Sequence, residues 1–336
     1  MQRLHQEQEI TEADSLAECA PCGTGASAGY SGTEESSSSR TASRTSVRTY
    51  SDWTLRSSVD EVAVLFAATD HGKAVGGLSR ADVAIRDDGK APASILGFRN
   101  ESELPLRLGL VIDTSASITG RFSFEQRATA KFLEKVLAGP NDLAFVVGFS
   151  NSVLLTQDFT RDEARLSPSI AQLAPSGGTA AWDAVSLAVE KLGNRREQRP
   201  IARIVVVISD GEDNSSSTTL KEVIASAQRQ EVIVYTVSAN ERGIKQESDL
   251  GNRSLKLLSE RTGGGSFVPA SLSQLNRKLE ELQQVIRSRY LITYKPAEFA
   301  RDGQYRTINI DAEKAGHKLR VFARKGYYTA APEKSN

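Results

Sequence analysis

The chain has 336 residues, and its 42 Lys and Arg residues equal its 42 Asp and Glu residues in number. A length above ~250 residues favours two domains, and the balanced charge disfavours general binding to nucleic acid or to an anionic membrane. The longest apolar stretches, 104–112 and 201–208, contain Arg107 and Arg203 and fall short of the ~18 residues of a bilayer-spanning helix, so no transmembrane helix is predicted.

Residues 1–57 are predicted to form a disordered, low-complexity tail, because they lack hydrophobic periodicity and contain runs of serine. Cys19 and Cys22 have the spacing of a redox or zinc pair, but no second pair and no strand-helix context accompanies them. We interpret them as incidental thiols. No apolar stretch typical of a secretory signal follows Met1 in the sequence as given.

Two β segments are predicted, at 58–103 and at 289–330. Apolar residues alternate with others around Val62 and again around Ile308, which is typical of strands with one buried face. Each segment is too short to form a core alone. We therefore predict that the two segments pair with each other and form a small β-sandwich.

Between them, residues 104–288 alternate apolar strands with amphipathic helices. Near-continuous apolar runs predict strands that helices cover on both faces of a parallel sheet. These runs are 108–112, 143–149, 204–208 and 232–237. The predicted fold class is α/β, with a doubly wound, mostly parallel, Rossmann-like sheet.

Three loops of this α/β region carry hydroxyl and carboxylate groups where strands end or helices begin. They are Asp-x-Ser-x-Ser at 113–117, Ser-Gly-Gly-Thr at 176–179 and Ser-Asp-Gly at 209–211. Ligands of open α/β sheets bind beyond the carboxyl ends of the strands, and an all-oxygen donor set suits Mg²⁺ or Mn²⁺. The candidate metal ligands are Asp113, Ser115, Ser117, Thr179 and Asp210.

Any one of these loops has an ordinary alternative reading. Ser, Thr and Asp are preferred helix N-caps, so Thr179 taken alone is better explained by capping the following helix. Asp183 lies one helical turn later and either supports the site or only solvates the helix. The presence of all three loops in one α/β region favours a metal site.

In order and spacing, the three loops resemble the metal-ion-dependent adhesion site of a von Willebrand factor A domain. The flanking segments 75–98 and 289–327 resemble the bacterial VWFA-related domain proteins, so the resemblance covers about residues 59–328. It implies that the three hydroxyl side chains bind a cation directly, whereas the two aspartates act largely through water. One coordination position would stay open for a partner.

The function that the resemblance implies is a non-enzymatic, divalent-cation-dependent, adhesion-type protein-binding module. Its bound Mg²⁺ (or Mn²⁺) would recruit an Asp or Glu carboxylate from a protein partner. The resemblance also implies a periplasmic or secreted location, although no signal segment is visible in the sequence as given.

Two other functions stay open at this point: a structural scaffold of an exported complex without metal-dependent binding, and a Mg²⁺-dependent hydrolase. The hydrolase reading lacks a phosphate-binding Gly-x-x-x-x-Gly-Lys loop and a second aspartate two residues after Asp113. It also lacks a nearby histidine, since His5, His71 and His317 all fall outside the α/β region.

Overall fold

The computed structural model describes residues 61–102, 104–197, 201–239 and 246–329. The tail predicted at 1–57, with Cys19 and Cys22, lies outside these ranges. None of the helices within them combines the length and the apolar character that crossing a bilayer requires.

The described chain contains fifteen strands and six α-helices. The strands are β1 (Val62–Asp70), β2 (Lys73–Ala74), β3 (Val83–Asp87), β4 (Ser94–Asn100), β5 (Leu106–Asp113), β6 (Leu143–Phe149), β7 (Val153–Thr160), β8 (Ala202–Ser209), β9 (Ile233–Ser238), β10 (Ser266–Phe267), β11 (Arg289–Lys295), β12 (Tyr305–Lys314), β13 (His317–Lys318), β14 (Arg320–Ala323) and β15 (Gly326–Tyr328). The helices are α1 (Phe122–Val136), α2 (Glu163–Ala171), α3 (Ala181–Gly193), α4 (Leu220–Arg229), α5 (Gln246–Thr262) and α6 (Leu272–Arg287).

Six strands form the central sheet, in the order β10-β9-β8-β5-β6-β7. All neighbours pair in parallel except β7, which runs antiparallel at one edge. Every residue of β5 is buried, because α1, α2 and α6 cover one face and α3, α4 and α5 cover the other. Leu110 faces the first helix layer and Val111 the second, as the alternation of side chains along a strand requires. The predicted α/β fold class is confirmed.

The strands before and after the α/β region pair with each other. β1 runs antiparallel to β11 and to β14, and β3 runs antiparallel to β12. The resulting sheets enclose one apolar core, which includes Val62, Phe66, Tyr290 and Ile308. The predicted β-sandwich is thus part of the fold, whereas the residue boundaries 58–103, 104–288 and 289–330 stay a prediction.

A buried carboxylate links the two sheets of the sandwich. Asp87, at the end of β3, accepts hydrogen bonds from the hydroxyl of Tyr294 at 2.7 Å and from that of Tyr327 at 3.0 Å. Tyr294 belongs to β11 in the opposite sheet. Two charge-assisted bonds therefore satisfy a carboxylate that would otherwise be costly to bury.

Asp142 joins the amino-terminal end of the central sheet to the last helix. Its carboxylate accepts the backbone N–H of Leu106 at 2.8 Å and that of Gly139 at 2.6 Å, and it forms an ion pair with Arg287 at the end of α6. Arg287 also donates to the backbone carbonyl of Val136, where α1 ends. One nearly inaccessible carboxylate thereby fixes two helix ends against β5.

Candidate functional site

The three loops singled out in the sequence meet at the carboxyl edge of the central sheet. Strand β5 lies between β8 and β6, and the chain leaves β5 towards α1 on one face and β8 towards α4 on the other. This is the switch point at which open α/β sheets bind ligands. Backbone hydrogen bonds join the first two loops, from Ala116 N–H to Gly177 carbonyl at 3.1 Å and from Ser176 N–H to Thr114 carbonyl at 2.7 Å.

Four of the five predicted ligands share one hydrogen-bonded cluster. Asp113 accepts the N–H of Ser115 at 2.8 Å and the hydroxyl of Ser209 at 2.6 Å. The hydroxyls of Ser115 and Ser117 lie 2.9 Å apart, and Ser117 donates to Asp210 at 2.7 Å. Asp113, Ser115 and Asp210 are buried, whereas Ser117 is exposed. The cluster therefore opens to solvent on one side.

The fifth predicted ligand, Thr179, is buried in the neighbouring loop. Its backbone N–H donates to the side-chain oxygen of Asn214 at 2.8 Å, and its carbonyl accepts the N–H groups of Asn214 and Ser215. These bonds tie the second loop to the segment after β8. Within the described residues, no hydrogen bond joins the Thr179 side chain to the other four predicted ligands. The loop of Thr179 is connected to theirs by backbone hydrogen bonds.

Capping of α3, the ordinary alternative for Thr179, is performed by other residues. Asp213 accepts the N–H of Ala181 at 2.9 Å, and the hydroxyl of Ser216 accepts that of Trp182 at 3.0 Å. An acidic group at a helix N-terminus also suits the helix dipole. The sequence alone indicates only an exposed rim position for Asp213, and the structure assigns it this capping role.

Asp183 has a different role from either of the two weighed in the sequence. Its carboxylate accepts the N–H groups of Ser217 at 2.9 Å and Thr218 at 2.8 Å. It therefore shapes the turn that leads into α4. No hydrogen bond connects it to the predicted ligands within the described residues.

Sequence reasoning missed a buried ion pair beside the cluster. Glu125, on the inner face of α1, is 1% exposed, and the Nε of Arg121 lies 3.1 Å from its Oε1. The same guanidinium reaches Asp210, with Nη2 3.9 Å from Oδ2. The only sequence signal was a glutamate within the apolar stripe of a helix, between Phe122 and Phe132.

The cluster holds more buried negative charge than positive charge. Burial, and then the nearby charge of Asp210, raises the pKa of Asp113 to about 6. Burial likewise raises the pKa of Glu125 to about 7, although Arg121 opposes this shift. Neither carboxylate oxygen of Glu125 accepts a hydrogen bond within the described part of the chain. When all three carboxylates are ionised, one guanidinium leaves an excess of two negative charges.

The donor set and this charge excess fit a divalent cation. Hydroxyl and carboxylate oxygens are the ligands that Mg²⁺ and Mn²⁺ prefer, and two positive charges would offset the excess. In the ranges that the structure describes, no group of three or more His, Cys, Asp or Glu side chains could hold a metal by itself. A cation here would therefore depend on the hydroxyls of Ser115, Ser117 and Thr179.

Helix α5 touches the loop that carries Asp210. The two backbones approach so closely at Gly251 that a Cβ added there would lie 2.2 Å from the carbonyl oxygen of Asp210. Gly211, which follows Asp210, has a φ of +82°, a left-handed conformation that favours glycine. The position of Asp210 thus depends on two glycines outside the five-residue pattern.

Comparison with known proteins places the α/β region in one family. The family model described as the von Willebrand factor type A domain matches residues 108–284, just over half of the chain. Among proteins with curated descriptions, none matches this chain.

Solved structures with a similar fold come from several bacteria. The vWF domain of the type V pili tip protein Mfa5 from Porphyromonas gingivalis is 15% identical and covers 55% of this chain and 95% of its own, with a TM-score of 0.45. The von Willebrand factor type A protein from Catenulispora acidiphila is 12% identical and covers 82% of this chain and 74% of its own, also with a TM-score of 0.45. BatB from Bacteroides thetaiotaomicron is 17% identical and covers 55% of this chain and 100% of its own, with a TM-score of 0.43.

The family-model match begins within β5, which leads into the first loop, and extends to within a few residues of the end of α6. The chain belongs to the von Willebrand factor type A domain family.

Proposed function

We propose that this chain is a divalent-cation-dependent protein-binding module. Mg²⁺ or Mn²⁺ would be held by Asp113, Ser115, Ser117, Thr179 and Asp210 and would recruit a carboxylate from a protein partner. The observation that supports this most is the buried, hydrogen-bonded oxygen cluster at the switch point of the sheet, where three carboxyl groups lie beside one guanidinium. The proposal includes an extracytoplasmic location, which only the resemblance suggests.

Hydrogen bonds hold the two aspartates of the cluster in fixed orientations. Asp113 is oriented by the Ser115 N–H and the Ser209 hydroxyl, and Asp210 is oriented by the Ser117 hydroxyl. Prior orientation lowers the cost of assembling the donor set. When bound, the cation supplies an electrophilic position that an incoming carboxylate can fill. Exposed Ser117 marks the side on which a partner would approach.

We propose no catalytic role for this site. General acid-base catalysis commonly uses histidine, and both histidines in the described ranges, His71 and His317, lie in the β-sandwich.

The proposed recruitment of a carboxylate is tested with Mn²⁺ and a pair of matched peptides. Mn²⁺-bound water enhances the relaxation of solvent protons, so a carboxylate that displaces this water lowers the enhancement. We expect a short peptide with one aspartate to lower it, and the same peptide with asparagine to leave it unchanged. Equal effects of the two peptides on Mn²⁺-loaded protein would contradict the proposal.

Protons should compete with the cation. The folded-state pKa values of Asp113 and Glu125 are raised to about 6 and about 7, so in the metal-free protein the protonated carboxyls stabilise the fold at low pH. That contribution is lost as the pH rises from about 4 through about 7. Mg²⁺ binding needs the ionised form of Asp113 and is favoured by that of Glu125, so we expect the apparent affinity for Mg²⁺ to be at least about fourfold weaker at about pH 5.5 than at about pH 7.5.

Titration calorimetry with Mg²⁺ at the two pH values measures this difference. The variant Glu125→Gln has no titrating carboxyl at position 125 and should show a smaller pH dependence. An affinity for Mg²⁺ that is independent of pH over this range would count against the cluster as the binding site.

A further inference from the structure

A cavity lies apart from the proposed metal site, between α5 and the strands β10 and β14. Its volume is about 450 Å³, within the range typical of pockets for small ligands. Helix α5 and strand β10 belong to the α/β region, whereas β14 belongs to the sandwich. None of the five proposed metal ligands lines this cavity.

Three of the seven described residues that line the cavity are cationic. Arg253 and Lys256 lie on α5 and Arg320 on β14, and Asp249 carries the one carboxylate among the described lining residues. Neither Arg253 nor Arg320 forms an ion pair with any described carboxylate, and the carboxylate nearest to Lys256 is that of Glu260, 3.9 Å away. With Asp249 and Glu260 set against the three cations, the described residues at the cavity carry one excess positive charge.

Two of these cations are held in place by the fold. The Nε of Arg253 donates to the backbone carbonyl of Asp249 at 3.1 Å, and the guanidinium of Arg320 lies 4.8 Å from the centre of the Phe322 ring. Oriented guanidinium groups with unused donors are the usual receptors for phosphate and carboxylate.

We propose that this cavity binds a small molecule that carries two or more phosphate or carboxylate groups. Arg253 and Arg320 bind the oxyanions, and Lys256 adds a third positive charge. Asp249 opposes binding through its charge and so limits the affinity. This site requires no metal and is independent of the proposed function.

The test uses the full chain in low-salt buffer freed of metals with a chelating resin, and two probes, pyrophosphate and citrate, in titration calorimetry. We expect pyrophosphate to bind if phosphate is the preferred chemistry, and citrate if carboxylate is. Arg253→Gln and Arg320→Gln should each weaken the binding of the preferred probe at least about fivefold. Asp249→Asn should strengthen it by about twofold to threefold, because a repulsive charge is removed.

Arg86→Gln, at an exposed position of β3 in the sandwich, is the matched control and should leave the affinity unchanged. Because general attraction of anions would be weakened by any loss of an arginine charge, the unchanged affinity of Arg86→Gln distinguishes this cavity from nonspecific attraction. The proposal is overturned if neither probe binds, or if the arginine variants bind as tightly as the wild type. Binding of a glutamate-rich peptide, but of neither small anion, would also overturn it.

Discussion

Replacing Asp142 by alanine should lower the free energy of unfolding by about 3–5 kcal/mol, the cost typical of breaking a buried ion pair from one side. The variant leaves the N–H groups of Leu106 and Gly139 without their acceptor, and it leaves Arg287 without its carboxylate. Asp142→Asn keeps a side-chain acceptor but loses the charge, so its effect should be smaller. Urea unfolding followed by circular dichroism measures both values.

Asp311→Ala is the matched control for this loss. Asp311 pairs with Lys318 at 3.7 Å, and both side chains are exposed, so we expect a change within about 0.5 kcal/mol. If Asp142→Ala lowers the free energy of unfolding no more than Asp311→Ala does, the Asp142 carboxylate does not fix α6 to the central sheet.

Replacing Gly251 by alanine should disturb the proposed metal site from outside it. The new Cβ would lie 2.2 Å from the Asp210 carbonyl oxygen, so α5 or the Asp210 loop must move. We expect a destabilisation of about 1–3 kcal/mol from overpacking. Displacement of Asp210 should also weaken Mg²⁺ binding at least about tenfold, which is about 1.4 kcal/mol.

Gly120→Ala is the control. Gly120 lies in the chain between the first loop and α1, and a Cβ added there would meet no neighbouring group within 4 Å. It should keep the wild-type affinity for Mg²⁺. If Gly251→Ala is destabilised but binds Mg²⁺ as the wild type does, the position of Asp210 does not depend on α5.

Much of the fold could be predicted because its strongest patterns are local. Parallel strands that are covered on both faces must be almost entirely apolar, and the runs at 108–112 and 204–208 correspond to β5 and β8. The order of the elements then places their carboxyl ends at one edge of the sheet. That is why the loops after these two strands, distant in sequence, could be grouped from the sequence pattern alone.

The edge strand β7 was not predicted, and its sequence explains why. Adjacent Leu154 and Leu155 are both exposed, so the segment has neither the alternation of a one-sided strand nor the full burial of a central one. The segment forms a strand because it pairs with β6, and the local sequence pattern does not predict this pairing.

The charge balance of the proposed site also could not be predicted from the sequence. Glu125 and Arg121 reach the cluster only because α1 packs beside the loop after β8, and their partner Asp210 lies far along the chain. The contact between Gly251 and Asp210 is of the same kind. The pattern identified candidate donors, but the groups that set their charge and position come from tertiary packing.

The central claim is that the five-residue cluster binds a divalent cation. Its most direct test is a thermal melt of the purified chain in chelator and in Mg²⁺, Mn²⁺ and Ca²⁺, with Ser115→Ala and Thr179→Ala beside the wild type. A cation at a hundred times its dissociation constant should add ~2.7 kcal/mol of stability, a shift of a few degrees for a chain of this size. We predict that Mg²⁺ or Mn²⁺ raises the melting temperature of the wild type and that both variants lose this rise. A melting temperature that no cation changes, or a rise that both variants retain, would contradict the claim.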